Sequence, residues 1–338
     1  MKIKGLNRVI PGGRHIESMG DNLLLYTLDD GMYCNGVLIS PTYLYPYLNY
    51  DGGHYLRSSE PPAIYRLDSE SNSIRLCVSR AQRIRLGTSD ELLLLGRYKN
   101  REHTYTLELE GKEIWTKTTS LSQVIQVGPY ALFYQGRGQL EGSCQLIELA
   151  TGAVLWELDH PDAYIKQVYP YEDKVIIVWF WEIGSKGTSR VLCVEVPSGK
   201  VLWENDAARK YKKYGEDKLV QFYVHYWEDG NDDRDLYAEL DVHTGEVYTR
   251  RYPGYNANVF VTTIYKDYLF YGAEKHNAYV GAIDLRTHEM LDEVKVDFTP
   301  GDFNHIQSIG VHDGQLYVEI QTELDHSDIH VLDLDEDE

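Results

Sequence analysis

The stretch "IELATGAVLW", residues 147–156, decides the fold. Ile147 and Leu149 alternate with polar neighbours, Thr151-Gly152 turns the chain, and Val154 and Trp156 open a second alternating run. That is a β-hairpin written in sequence. The layout returns in "LELEGKEIW" (107–115), "VEVPSGKVLW" (194–203), "LDVHTGEVYT" (240–249) and, without its glycine, "IDLRTHEMLD" (283–292). The turn residues Gly111, Gly152, Gly199 and Gly245 lie 41, 47 and 46 residues apart. "YRLDSESNSIRLCV" (65–78) is an earlier, degenerate copy.

A second marker interleaves with the first: a turn followed by a hydrophobic strand, as in "GDNLLLY" (Asp21), "SDELLLL" (Asp90), "EDKVIIV" (Asp173) and "HDGQLYV" (Asp313). One interval, 69 residues from Asp21 to Asp90, exceeds the rest. Four strands per unit of roughly 40–50 residues, with no sustained helical period, is the signature of a β-propeller blade. The sequence therefore predicts an all-β, single-domain, seven-bladed propeller of four-stranded antiparallel blades over residues 1–338. Blade 1 is expected over 13–79 with a long loop at 29–62, then blades over 80–120, 121–160, 161–206, 207–252 and 253–296, and a last one from 297. The last blade lacks an outer strand, and the N-terminal run 2–10 is expected to supply it and close the ring.

Composition narrows the function classes. Asp and Glu number 53 against 33 Lys and Arg, a formal net charge of -20, which repels nucleic acid and anionic membranes and favours a basic protein partner. No apolar run reaches the roughly 20 residues of a membrane span. Cys34, Cys77, Cys144 and Cys193 are widely separated and form no CxxC, which suits free thiols in the cytoplasm. Trp115, Trp156 and Trp203, with Tyr248 in register, recur early in the fourth strand and are expected to pack blade on blade.

The element around "ELATGAVLWE" and "EVPSGKVLWE" resembles the repeat of pyrroloquinoline-quinone-type propellers, a superfamily of dehydrogenases and non-catalytic scaffolds. The enzymes it resembles are larger, exported and eight-bladed, with calcium beside the quinone and a disulfide between adjacent cysteines. This chain has no adjacent cysteine pair and no evident export signal, and seven blades are expected, so the resemblance implies a non-catalytic member without cofactor.

No nucleophile, phosphate or metalloprotease motif is present. "WEDGNDDRDLYAEL" (227–240) alternates acids like a calcium loop but has Arg234 where the turn glycine belongs and Leu240 in place of the closing glutamate, so it reads as a solvated hairpin. His54, His103, His276, His326 and His330 are expected in connections between the second and third strands. They leave a metal-dependent lyase or hydrolase as the alternative, with a multi-partner scaffold as a third class. The preferred reading is a protein-binding propeller, most concretely an immunity or antitoxin-like protein that neutralises a basic toxin. Its expected contact residues are the loop tyrosines Tyr43, Tyr45, Tyr47, Tyr50 and Tyr55, with Trp181, Trp227, Glu228, Asp229, Asp232 and Asp233.

Overall fold

The computed structural model describes residues 1–335 apart from 20–21, 29, 49–53, 60–61, 69–70, 80–82, 88–91, 100–101, 137–140, 162, 172, 184–185, 207–210, 226–231, 256, 275–277, 292, 297–304 and 324–325. Its strands form eight four-stranded antiparallel sheets, so the ring has eight blades and not seven. We number the blades 1–8 and letter their strands A–D. The A strands run Gly13–Met19, Tyr45–Leu48, Arg83–Gly87, Gln123–Val127, Ala163–Pro170, Lys212–Tyr214, Ala257–Tyr265 and His305–His312. They adjoin one another from blade 7 to 8, 8 to 1, 3 to 4 and 4 to 5, which makes them the innermost strands.

The eighth blade was hidden in the long interval. Residues 13–79 hold two compressed blades, not one blade with a long loop. Blade 1 takes its outer strands from Gly31–Cys34 and Val37–Ser40, and blade 2 pairs Tyr45–Leu48, His54–Ser59, Pro62–Asp68 and Ser73–Ser79. The joint that splits them is Asn35-Gly36. Both residues are left-handed, with φ of 50° and 82°, the geometry of a two-residue hairpin turn that Asn-Gly favours. Tyrosine content suggested a loop here, while the turn residues specified strands.

Ring closure comes from the N-terminal strand Lys2–Ile10, which pairs antiparallel with His326–Asp335 as strand D of blade 8. Ile3 is buried there among Leu332, Leu334 and Ile306.

At one end of the ring the A–B and C–D turns interlock by a repeated rule. The residue that follows strand C donates its backbone N–H to the A–B turn of the same blade: Leu149 to Pro129, Val196 to Asp173, Val242 to Asp217 and Leu285 to Asp267, at 2.8–3.1 Å. The carbonyl of that same residue accepts the indole N–H of the preceding blade. Trp115 donates to Leu149 at 2.7 Å, Trp156 to Val196 at 2.6 Å and Trp203 to Val242 at 3.0 Å. Each indole lies on the glycine of the next C–D turn. A Cβ on Gly199, whose φ is +70°, would stand 2.6–2.8 Å from Trp156. Glycine is thus required twice, for the turn and for the ring above it.

Two other junctions are built from different groups. Between blades 6 and 7, Tyr248 stacks on His288, which takes the glycine position with φ 56°, at 4.7 Å and 22°. His288 Nε2 lies 3.0 Å from Glu239, whose other oxygen is 2.6 Å from Lys218 Nζ, and the Tyr237 hydroxyl donates to Glu239 at 2.9 Å. Between blades 1 and 2 the junction is built from asparagines. Asn35 Nδ2 donates at 2.9 Å both to Asn22 and to Asn72.

Candidate functional site at the channel mouth

The opposite end of the ring is less uniform. It gathers the B–C hairpins and the crossings from each strand D to the next strand A. Several B–C connections expected as long loops are instead prolonged strands. In blade 5, Lys174–Ile183 and Lys186–Glu195 pair to the tip, Ile183 with Lys186. In blade 6, strands Lys218–His225 and Asp232–Asp241 outrun both neighbours. Strand A reaches only Val220 and strand D begins opposite Leu236. Beyond both flanking strands the second strand continues over 223–225, a projection on the order of 10 Å at about 3.3 Å per residue.

The crossing from blade 1 to blade 2 carries the tyrosines that composition singled out, and the structure scatters them. Tyr43 sits in the crossing, Tyr45 and Tyr47 lie on the innermost strand of blade 2, and Tyr55 is buried at 2% exposure in its second strand. Tyr50 lies outside the described residues. They do not form one exposed loop, and the expectation of a tyrosine paratope over 41–59 is corrected. Strand pairing turns alternate residues inward, so a tyrosine count alone cannot distinguish contact from core.

What remains is a compact aromatic group at the mouth. The Tyr43 ring lies 5.1 Å from His15, 5.0 Å from Tyr26 and 4.8 Å from Tyr45, and the Arg57 guanidinium lies 5.7 Å from the centre of the Tyr45 ring. Burial raises the Tyr43 hydroxyl above its ordinary range, and Glu17, Tyr45 and Glu319 push it the same way. Glu319 is buried in blade 8 and accepts from Ser308 Oγ at 2.5 Å, while Ser308 Oγ accepts the Ile16 N–H at 3.2 Å. Three blades are therefore tied together at this point.

Two charged side chains line the channel beneath it. Glu17 on strand A of blade 1 and Lys212 on strand A of blade 6 are both reached by water, yet protein surrounds them. Burial raises the Glu17 carboxyl and lowers the Lys212 ammonium, and each partly offsets the other's shift by attraction across the ring.

The strands near this mouth bulge at matching places. The ladder between strands A and B slips between Arg14 and Ile16, Ile84 and Leu86, Ile165 and Gln167, and Ile306 and Ser308. The extra residues are His15, Arg85, Lys166 and Gln307. A bulge expels one residue from the ladder and re-aims its side chain, a device common beside binding sites. His15 pays in backbone strain, with φ 56° on a non-glycine residue. Lys166 lies 5.3 Å over the Phe180 ring. Sequence reading missed this group because each residue is ordinary alone and only the register shows that they correspond.

The other expected contacts separate. Trp227, Glu228 and Asp229 lie outside the described residues, and Asp232 and Asp233 open strand C of blade 6. Trp181 is on strand B of blade 5, directly after the core residues Trp179 and Phe180. The histidines are not gathered in loops. His54 opens strand B of blade 2, His103 is buried in a strand against Tyr98 at 4.6 Å, His326 faces Asp328 at 3.3 Å, and His330 is 5% exposed. His276 lies outside the described residues. Among the described residues no group of three or more His, Cys, Asp and Glu is placed to hold a metal, and no helix is long and apolar enough to cross a membrane.

No protein-family model matches the chain, and no curated protein is significantly similar to it in sequence. Solved structures resemble it in shape. The computationally designed Ika8 protein superposes with TM-score 0.55 at 10% identity, covering 97% of this chain and 98% of that one. The Dos1 propeller gives TM-score 0.52 at 10% identity, with coverage of 98% and 94%. BamB from Moraxella catarrhalis gives 0.39 at 12% identity, covering 86% and 96%. The class is thus an all-β propeller, and identities this low carry the fold alone. Blade number no longer separates this chain from the quinone-binding enzymes its repeat resembles.

Proposed function

We propose that this is a non-catalytic propeller that binds a basic protein through its B–C end. The carrying observation is the blade 6 hairpin, whose second and third strands run past both flanking strands and whose third strand opens on Asp232 and Asp233. Its sequence "WEDGNDDRD" (227–235) carries Glu228, Asp229, Asp232, Asp233 and Asp235 against Arg234. An acidic projecting hairpin on a chain of net charge -20 steers a cationic partner, and Trp227 in its sequence is the anchor this reading assigns. The most concrete partner is a basic toxin domain that this chain would neutralise, a reading favoured by charge. A cytoplasmic setting suits the buried free thiols of Cys34, Cys144 and Cys193.

A photo-crosslinking residue in place of Trp227, compared with one in place of exposed Lys112 on the rim of blade 3, tests this in the native host. The expected product is a basic protein joined at position 227, lost when Asp229, Asp232 and Asp233 become Lys. Equal labelling at both positions, or none at 227, contradicts the reading.

A further inference from the structure

Among the described residues three carboxylates are buried: Glu239, Asp284 and Glu319. Two of them have cations. Glu239 lies 2.6 Å from Lys218 Nζ, and Asp284 lies 3.3 Å from Arg286 Nη2. Glu319 is the deepest of the three at 5% exposure, yet no described Lys, Arg or His forms an ion pair with it. It accepts a hydrogen bond from the Ser308 hydroxyl at 2.5 Å. A buried carboxylate without a counter-charge is costly, and acids are rarely buried so deeply unless paired.

The surroundings of Glu319 supply the rest of a cation site. Ser308 Oγ also accepts the Ile16 N–H at 3.2 Å, which fixes Glu319 beside the bulge of blade 1. His15, the bulge residue, holds its ring 5.1 Å from Tyr43, and the Tyr26 and Tyr45 rings lie 5.0 and 4.8 Å from Tyr43. Tyr45 is 46% exposed and already carries one cation, the Arg57 guanidinium 5.7 Å from its centre. Glu17, one residue beyond Ile16, keeps a raised carboxyl in spite of Lys212. Glu17 and Glu319 both raise the Tyr43 hydroxyl, so the field of each reaches the rings. Ring faces beside under-compensated carboxylates attract organic cations, because the negative face of the ring adds to the pull of the acid. We propose that this mouth binds an organic ammonium ion, either a small free amine or a lysine side chain offered by a protein. Glu319 supplies the counter-charge, Tyr43 and Tyr45 the ring faces, and Glu17 draws the cation in from the channel. The site is separate from the blade 6 hairpin, so its titration and the cross-link from position 227 succeed or fail independently.

Calorimetric titration of the full chain with choline and, separately, with N-acetyl-lysine amide at fixed ionic strength tests the proposal. Binding of either supports it, and the preferred cation tells a free quaternary amine from a protein side chain. Glu319→Gln should weaken binding about tenfold, the loss of one charge-assisted contact. Tyr43→Leu should weaken it several-fold, and Tyr43→Phe, which keeps the ring and drops the hydroxyl, should bind more tightly than Tyr43→Leu. That pair decides the matter if the Glu319 variant fails to fold. Glu246→Gln, on an exposed turn at the other end of the ring, should leave affinity unchanged. The proposal is overturned if neither cation binds, if Glu246→Gln weakens binding as much as Glu319→Gln, or if Tyr43→Phe binds no better than Tyr43→Leu.

Discussion

The two ends of this ring obey different rules. At the C–D end, three successive junctions repeat one arrangement: an indole N–H on the next blade's carbonyl, with the ring lying on that blade's turn glycine. At the B–C end the blades diverge. Hairpins differ in reach, and the recurring bulge holds a different residue in each of four blades. Repetition marks what every blade needs, namely a neighbour to pack against. Variation marks what only this molecule needs. Side chains at the first end should therefore govern stability, and those at the second should govern binding.

The largest effect expected is on Trp156. Trp156→Ala removes a buried indole and leaves the Val196 carbonyl without its donor, so unfolding free energy should fall by about 3–5 kcal/mol in chemical denaturation. A loss below 1 kcal/mol would show that the junction is ornamental. Gly199→Ala comes next, at roughly 2–3 kcal/mol, because it combines left-handed backbone strain with a methyl against Trp156. Gly215→Ala supplies the control, since the same left-handed φ meets no neighbouring atom and only the backbone penalty of about 1 kcal/mol should appear.

The exceptional junction between blades 6 and 7 sharpens the comparison through pH. Burial alone would raise the Glu239 carboxyl, but hydrogen bonds from Lys218, His288 and Tyr237 outweigh it and hold the group below its ordinary range. A depressed carboxylate stabilises the fold above its unfolded pKa and loses that contribution as pH falls through the folded value. Thermal melts of wild type and Glu239→Gln should therefore differ most near neutral pH and converge below the normal carboxylate range. A gap that is constant with pH would assign the effect to packing. The smallest stability effect belongs to exposed side chains outside the junctions: Lys112→Gln should leave unfolding free energy within about 0.5 kcal/mol of wild type.

The same contrast explains how much could be read in advance. "ATGAVLW" and "PSGKVLW" announce blades because turn, alternation and tryptophan coincide within ten residues. Blades 1 and 2 lack that coincidence. Their turns rely on left-handed Asn35 and Asn72 rather than on Thr-Gly, and their junction replaces an indole with an asparagine ladder. Asn35-Gly36 is a two-residue hairpin signal, but it stands beside a tyrosine- and proline-rich run that reads as loop. The N-terminal closing strand was legible because an unpaired edge has to be covered. The bulges were not. Their residues, His15, Arg85, Lys166 and Gln307, are dispersed along the chain, and only the register of the innermost strands shows that they correspond.

The most direct test of this division of labour is a pair of variants, Trp156→Ala at one end and the joint change of Asp229, Asp232 and Asp233 to Lys at the other, each followed by chemical denaturation and by photo-crosslinking from position 227. Trp156→Ala should lower unfolding free energy and keep the cross-link, and the triple change should lose the cross-link and leave stability within about 1 kcal/mol of wild type. The reverse pattern, or both effects from either change, would contradict the assignment of structure to one end and binding to the other.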